Sequence, residues 1–245
     1  MLRINGTALL LTLALGLGAF GCADNESSLF IEGVLATSSS DCVARPDAAA
    51  EFISLGVLDT AFAEGYVAAV QVGNQITQQG NRDKLRTETS RIHLEGATGS
   101  VFDVAGGEHE FEAIGTGFVH PAAGTEPGLA AMFVNLVNPD QIADVAAAGE
   151  GQMVVRFRVF GRTLGGQEIE SGDYDFPIYI CEGCLVDYPI AANSATAPDY
   201  LCDEEAPESQ EVRVCFYGQD QRFPCTACSA VEDVCRDPAL NPWYN

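Results

Sequence analysis

The feature that most restricts the fold is an alternating run near the middle of the chain. Val155, Phe157 and Val159 alternate there with two arginines, Arg156 and Arg158. Successive side chains of a strand point to opposite faces, so this spacing predicts a strand with one apolar and one basic face. Shorter runs of the same kind recur between Gly, Asn and Pro residues. We therefore predict a mainly β protein, an antiparallel β-sandwich of immunoglobulin-like architecture.

The other strand candidates are short runs bounded by turn residues. With the run at 152–162, they are residues 29–36, 65–72, 89–95, 100–104, 110–118, 129–137, 167–171 and 175–181. The pair Gly165-Gly166 predicts a tight hairpin between two of these runs, because the favoured turns need positive φ. Pro177 predicts an edge position for the last strand, since proline cannot donate a hydrogen bond to a neighbour.

One or two short helices are expected beside the strands. Asn138 can cap a helix that begins at Pro139, and apolar residues follow at helical spacing up to Gly149. A second helix is predicted within residues 47–63, where Phe52, Leu55 and Phe62 are available for burial.

The composition changes after Cys184. Residues 185–245 are rich in Pro, Asp, Glu and Cys and show little alternation. We expect too little apolar surface here for folding by burial alone, so that disulfides supply the stability. The predicted organisation is a signal peptide at 1–21, a lipidated tether at 22–28, a β-sandwich at 29–184 and an irregular cysteine-rich region at 185–245.

Nine cysteines occur, and eight of them can form an even set. These disulfide candidates are Cys42, Cys181, Cys184, Cys202, Cys215, Cys225, Cys228 and Cys235. Eight cysteines allow roughly a hundred pairings, and the sequence does not choose among them. The two C-x-x-C motifs, Cys181/Cys184 and Cys225/Cys228, leave two alternatives open: a four-thiolate zinc site and a thiol-redox pair. We expect disulfides, with no metal and no cofactor.

The ninth cysteine, Cys22, ends an N-terminal export signal. The apolar run at 8–17 follows Arg3 and is about half of the ~20 residues that span a bilayer, as in a signal peptide. Ala19-Phe20-Gly21-Cys22 resembles the lipobox of bacterial lipoproteins, although that family prefers Leu and then Ala or Ser at the first two positions. The resemblance implies cleavage before Cys22 and lipidation of its sulfur.

Two observations bear on this resemblance. Ordinary secretion is the alternative, because Ala19 and Gly21 also fit a small-x-small cleavage site, but it would leave one cysteine unpaired. Ala23 follows the cysteine where the family uses Asp for inner-membrane retention, which implies a lipid anchor in the outer membrane of the cell envelope. The overall layout is similar to lipoproteins of Gram-negative bacteria, a resemblance that carries no activity.

The charge excludes one class of partner. The formal net charge is −23, and removal of residues 1–21 takes away only Arg3, which leaves −24. Such a chain repels phosphate backbones, so we expect no nucleic-acid binding. Its partners are predicted to be the membrane, through the lipid anchor, and an envelope protein or extracellular ligand.

No sequence motif predicts catalysis. Hydrolase, Walker and dinucleotide signatures are missing, and the acidic clusters lack calcium-loop spacing. The three histidines are predicted as a solvated strand residue (His93), a loop tip (His109) and a strand end (His120). We therefore expect a non-catalytic envelope protein with a binding, adhesion or structural role, the alternative being a metal-binding or thiol-redox protein that uses the C-x-x-C pairs.

Overall fold

The structure is a computed structural model, and it describes residues 28–38, 41–79, 87–188, 202, 214–228, 235 and 241. The predicted signal peptide, Cys22 and all but the last residue of the predicted tether lie outside these residues.

The described chain consists of twelve strands, one α-helix and one 3₁₀ turn. In chain order they are β1 (Leu29–Leu35), β2 (Phe52–Ile53), β3 (Gly56–Asp59), β4 (Tyr66–Asn74), β5 (Ile92–Phe102), β6 (Glu108–Val119), β7 (Gly128–Val137), α1 (Pro139–Ala147), β8 (Gly151–Thr163), β9 (Glu168–Glu170), β10 (Tyr174–Cys181), β11 (Val186–Asp187), β12 (Phe223–Pro224) and the 3₁₀ turn Cys225–Ala227.

Two sheets pack face to face and confirm the predicted sandwich. The smaller sheet has the order β2-β1-β4-β7, and the larger has β3-β10-β8-β5-β6, with β9 paired to β8. The inward residues of the alternating strands, such as Val70, Val134, Val155 and Phe157, are at most 1% exposed and form one continuous core. All pairings in the two sheets are antiparallel except the one between β3 and β10.

The predicted break inside the 89–104 segment is wrong. Residues 92–102 form one long central strand, β5, that pairs with both β6 and β8. Gly96 and Gly99 lie between the two predicted strands, but in the structure both are strand residues at places of close approach. A Cβ at Gly99 would collide with the backbone of β8, and one at Gly96 would meet the ring of Phe160. These glycines therefore serve packing between strands.

The predicted helix within residues 47–63 is also wrong. This segment forms β2 and β3, and β3 lies parallel to β10 with Cys181 opposite Asp59. Phe52 and Leu55, which were expected to be buried, are 39% and 43% exposed. Long-range pairing to β10 outweighs the weak helical spacing of the segment.

Other local predictions agree with the structure. The helix α1 begins at Pro139, and the Asn138 N–H donates to the Gln141 side chain at 3.0 Å, as in a capping box. The Leu164–Gly166 turn joins β8 to β9, with Gly166 at φ +85°. Among the described residues, no helix is long and apolar enough to span a membrane.

The edge position that Pro177 predicts for β10 holds only at the proline itself. β10 lies between β3 and β8, so it is not the outermost strand of its sheet. Its pairing with β3 begins at Ile178, however, so that side of the strand is open at Pro177. The missing N–H therefore leaves no partner on β3 unsatisfied.

The described part of the C-terminal region packs against one end of the sandwich. Its apolar cluster includes Tyr188 and Phe223 together with four buried or nearly buried cysteines, and Val57 and Phe62 of the sandwich contact it. Gln219 also forms a β-bridge with Leu58 of β3. The region is thus joined to the sandwich by both backbone and side chains.

Candidate functional site

A polar groove of about 550 Å³ crosses the outer face of the larger sheet. Alternation along β5, β6 and β8 turns one set of side chains into the core and leaves the other set on this face. The floor consists of small β5 residues, one wall of β6 carboxylates and the other of β8 guanidinium groups: Thr98, Ser100, Glu110, Glu112, Arg156 and Arg158.

Strand register fixes the order of groups across the groove. Ser100 lies opposite Glu110 on one side and opposite Arg156 on the other. Two residues earlier in β5, Thr98 lies opposite Glu112 on one side and opposite Arg158 on the other. The two charged walls are therefore separated by one strand of small residues, which leaves an open channel along β5.

The arginines on the basic wall are already paired. Arg156 donates from Nε and Nη2 to the two carboxylate oxygens of Asp175 at 2.7 and 2.8 Å. Arg158 lies 3.0 Å from Asp173 and 3.6 Å from Glu170. The Asp175 carboxylate raises the pKa of Arg156, and the Arg156 guanidinium lowers the pKa of Asp175. Both guanidinium groups are thus already paired with carboxylates, and one of these, Asp173, also lines the groove.

The glutamates on the opposite wall, unlike the arginines, have no ion-pair partner among the described residues. Glu110 and Glu112 are exposed, and within the described part of the chain neither forms an ion pair. Glu108 lies on the same face of β6 and is also exposed. The groove therefore offers a row of carboxylates that have room for a cationic partner.

All eight predicted disulfide cysteines are paired in the structure. The bridges are Cys42–Cys215, Cys181–Cys184, Cys202–Cys225 and Cys228–Cys235. The two C-x-x-C motifs therefore behave differently, because the first closes on itself and the second bonds to two other cysteines. Each of these eight sulfurs is bonded to another of the eight, so none of them is a free thiolate in this structure.

A buried aspartate lies beside the Cys181–Cys184 bridge. Asp59 is 0% exposed, and its carboxylate accepts from the N–H groups of Gly183 at 2.7 Å and Leu185 at 3.0 Å. Burial raises the pKa of Asp59, although these hydrogen bonds act in the opposite direction. One carboxylate oxygen and the two sulfurs lie within 4.8 Å of one another.

A second polar cluster connects the C-terminal region to β4. The Gln219 side chain accepts from the Val67 N–H at 2.9 Å and donates to the Val67 carbonyl at 2.6 Å. Asp220 accepts from the Tyr66 hydroxyl at 2.8 Å and from the Val57 N–H at 2.8 Å. Burial raises the pKa of Asp220, and burial together with the Asp220 charge raises that of Tyr66.

The histidines are placed in three separate settings. His93 stacks on Phe118 on the outer face of the larger sheet, with ring centroids 4.8 Å apart. His109 was predicted at a loop tip, but it lies in β6, and its Nε2 is 2.9 Å from Asp103 Oδ2. His120 follows the end of β6, in agreement with the prediction. Among the described residues, no histidine joins a cluster of metal-ligating atoms.

Neither comparison with known proteins identifies a relative: no protein-family model matches this chain, and a search of curated proteins finds no significant match.

Sequence reasoning missed Asp59, Gln219 and Asp220. Each lies far in sequence from its partners, since Asp59 contacts residues 124 and 126 positions away and Gln219 a residue 152 positions away. No local pattern marks such contacts. The groove was partly predictable, because the alternation that identified β8 also placed Arg156 and Arg158 on one face.

Proposed function

We propose that this protein is a lipid-anchored lipoprotein of the bacterial outer membrane that binds a cationic, extended segment of an envelope protein or extracellular ligand. This binding role is non-catalytic. The observation that carries the binding proposal is the asymmetry of the groove, whose arginines are paired while its glutamates are not.

Spacing supports an extended ligand. Glu108, Glu110 and Glu112 alternate along β6, so their side chains recur at about 6.8 Å on one face. An extended peptide with Lys or Arg at alternate positions has the same repeat. The net charge of −23 for the full chain favours such a partner at long range.

The binding test uses a ten-residue peptide of alternating lysine and serine, with affinity measured by titration calorimetry at low salt. The double substitution Glu110→Gln and Glu112→Gln is expected to weaken binding roughly twofold to thirtyfold, since an exposed ion pair contributes ~0.2–1 kcal/mol. The matched control is Glu51→Gln with Glu64→Gln, two exposed glutamates outside the groove lining. Equal weakening by both pairs would show binding through net charge alone.

The anchor is tested separately. Cys22→Ser is expected to abolish fatty-acid labelling and to release the protein from the membrane fraction, because no other residue of the lipobox carries a thiol. Buried methylenes contribute ~0.8 kcal/mol each to membrane binding, so loss of the acyl chains removes most of the attachment. A Cys22→Ser protein that stays in the membrane fraction contradicts the anchor.

A further inference from the structure

We propose that Cys181–Cys184 is a reactive disulfide that exchanges with the dithiol of another protein, with Asp59 donating a proton to the departing sulfur. This activity is independent of the groove. It rests on the position of the bridge, on the fate of the chain when the bridge opens and on the buried acid beside it.

The buried acid and the bridge are held in a fixed geometry. Cys181 is the register partner of Asp59 in the parallel β3–β10 pair. The sheet therefore holds the carboxyl group and both sulfurs within 4.8 Å of one another. The Cys181 sulfur also lies 3.7 Å from the Leu58 carbonyl, so a thiol formed there has an acceptor in place.

The Cys181–Cys184 bridge can open without releasing the chain. It joins residues only three positions apart, whereas Cys42–Cys215 joins residues 173 positions apart. The turn that carries both sulfurs is held by the hydrogen bonds from Gly183 and Leu185 to Asp59. Both thiols would therefore stay close together, ready to form the bridge again.

Burial assigns the roles of the two cysteines. Cys181 is 0% exposed, while Cys184 is partly exposed. An incoming thiolate therefore attacks the Cys184 sulfur and forms a mixed disulfide. The S–S bond breaks, its electron pair goes to the Cys181 sulfur, and that sulfur takes the proton of the Asp59 carboxyl group.

The second half of the exchange completes the balance. The second thiolate of the external dithiol attacks the first external sulfur, which is bonded to Cys184 in the mixed disulfide. Cys184 is released as a thiolate, which takes a proton from water. Asp59 regains its proton from solvent. In sum, one external dithiol is oxidised to a disulfide, and the Cys181–Cys184 bridge is reduced to two thiols.

The surroundings of Asp59 suit a proton donor. Burial raises the pKa of this carboxyl group, and the Glu182 charge nearby adds to the effect, while N–H groups of Ala61, Gly183 and Leu185 lower it. The net direction is upward, so the protonated form persists to higher pH than in an exposed aspartate. A buried thiolate is costly without such a donor.

The principal experiment measures reduction by dithiothreitol between pH 5.5 and 8, followed by acid quenching, alkylation and peptide mass spectrometry that reports each bridge separately. The wild type is compared with Asp59→Asn at each pH, so the thiolate fraction of the reagent cancels. At pH 5.5 we expect Cys181–Cys184 to be reduced about tenfold faster in the wild type than in Asp59→Asn, a smaller factor than the ~10²–10⁴ typical of general acid catalysis. The advantage should shrink towards pH 8.

The matched control is Asp220→Asn, which removes another buried carboxyl group with a raised pKa but leaves the Cys181 turn unchanged. It is expected to reduce at the wild-type rate. If Asp59→Asn does not fold, the wild-type rate is compared with that of oxidised glutathione, and the ratio should rise as the pH falls. A ratio that is constant with pH, or an Asp59→Asn protein that reacts faster, overturns the proposal.

The assigned roles have their own test. In Cys181→Ser the remaining Cys184 thiol should react with iodoacetamide at least about tenfold faster than the Cys181 thiol does in Cys184→Ser, because thiol reactivity follows exposure and thiolate content. Equal rates, or the reverse order, would contradict the assignment of Cys184 as the attacked sulfur.

Discussion

Replacement of Gln219 by alanine tests how the C-terminal region is held to the sandwich. The Gln219 side chain is 5% exposed and pairs with both backbone groups of Val67. β1 does not reach this part of β4, because its pairing ends with Val34 opposite Val70. The amide of Gln219 therefore takes the place that a neighbouring strand would occupy.

The expected magnitude follows from the two backbone groups. Each buried group left without a partner costs ~1–3 kcal/mol, so Gln219→Ala should lower the free energy of unfolding by roughly 2–6 kcal/mol. For a chain of this size, that corresponds to a fall in Tm of roughly 4–24 °C. Loss of the 3.2 Å contact from Gln219 to Asp220 acts in the same direction.

The assay is urea unfolding followed by circular dichroism with all disulfides intact. Gln75→Ala is the control, because Gln75 is an exposed glutamine just after β4 whose own N–H bonds to a backbone carbonyl. The control should change the unfolding free energy by less than ~0.5 kcal/mol. If Gln219→Ala changes it no more than the control does, the side chain does not act as a strand substitute and the reasoning fails.

Three other perturbations have expected outcomes. Cys42→Ser with Cys215→Ser opens a link between residues 173 positions apart and should lower the unfolding free energy by about 5 kcal/mol in urea titrations; a change under 1 kcal/mol would mean that other contacts suffice. Asp59 and Asp220 both have raised pKa values, so their contribution to stability is full below the ordinary carboxyl pKa and is lost as the pH rises through the raised values. The wild type should therefore lose stability relative to the double Asn variant as the pH rises above about 4, the ordinary pKa of an aspartate, whereas a pH-independent difference contradicts this. Gly99→Ala places a Cβ against the β8 backbone and should destabilise by about 1–3 kcal/mol in thermal unfolding, and an unchanged Tm would show that the strands can separate.

The strands were predictable where one face is buried and the other is exposed. β8 is the clearest case, because Val155, Phe157 and Val159 face the core and the intervening arginines face outward. The start of α1 was predictable from Asn138 and Pro139, since capping depends on a few adjacent residues. In such elements the information is local.

The failures lie where distant contacts decide the structure. β3 is a strand because it pairs with β10, more than a hundred residues later, and its own sequence carries no alternation that shows this. Gly96 and Gly99 lie in the wrongly predicted break of β5, because the close approach of the neighbouring strands cannot be seen from the sequence of β5 alone. The acid beside the Cys181–Cys184 bridge was missed for the same reason, although the cysteines themselves were identified.

The path of β4 has a consequence for orientation. Its last residue, Asn74, lies opposite Leu29 at the start of β1, while its first residue, Tyr66, bonds to Asp220 of the C-terminal region. Nine residues of strand separate these points, a length of about 27 Å. A chain held by the segment before Leu29 would therefore point Tyr66, and with it the described residues around Asp220, away from the surface that holds it.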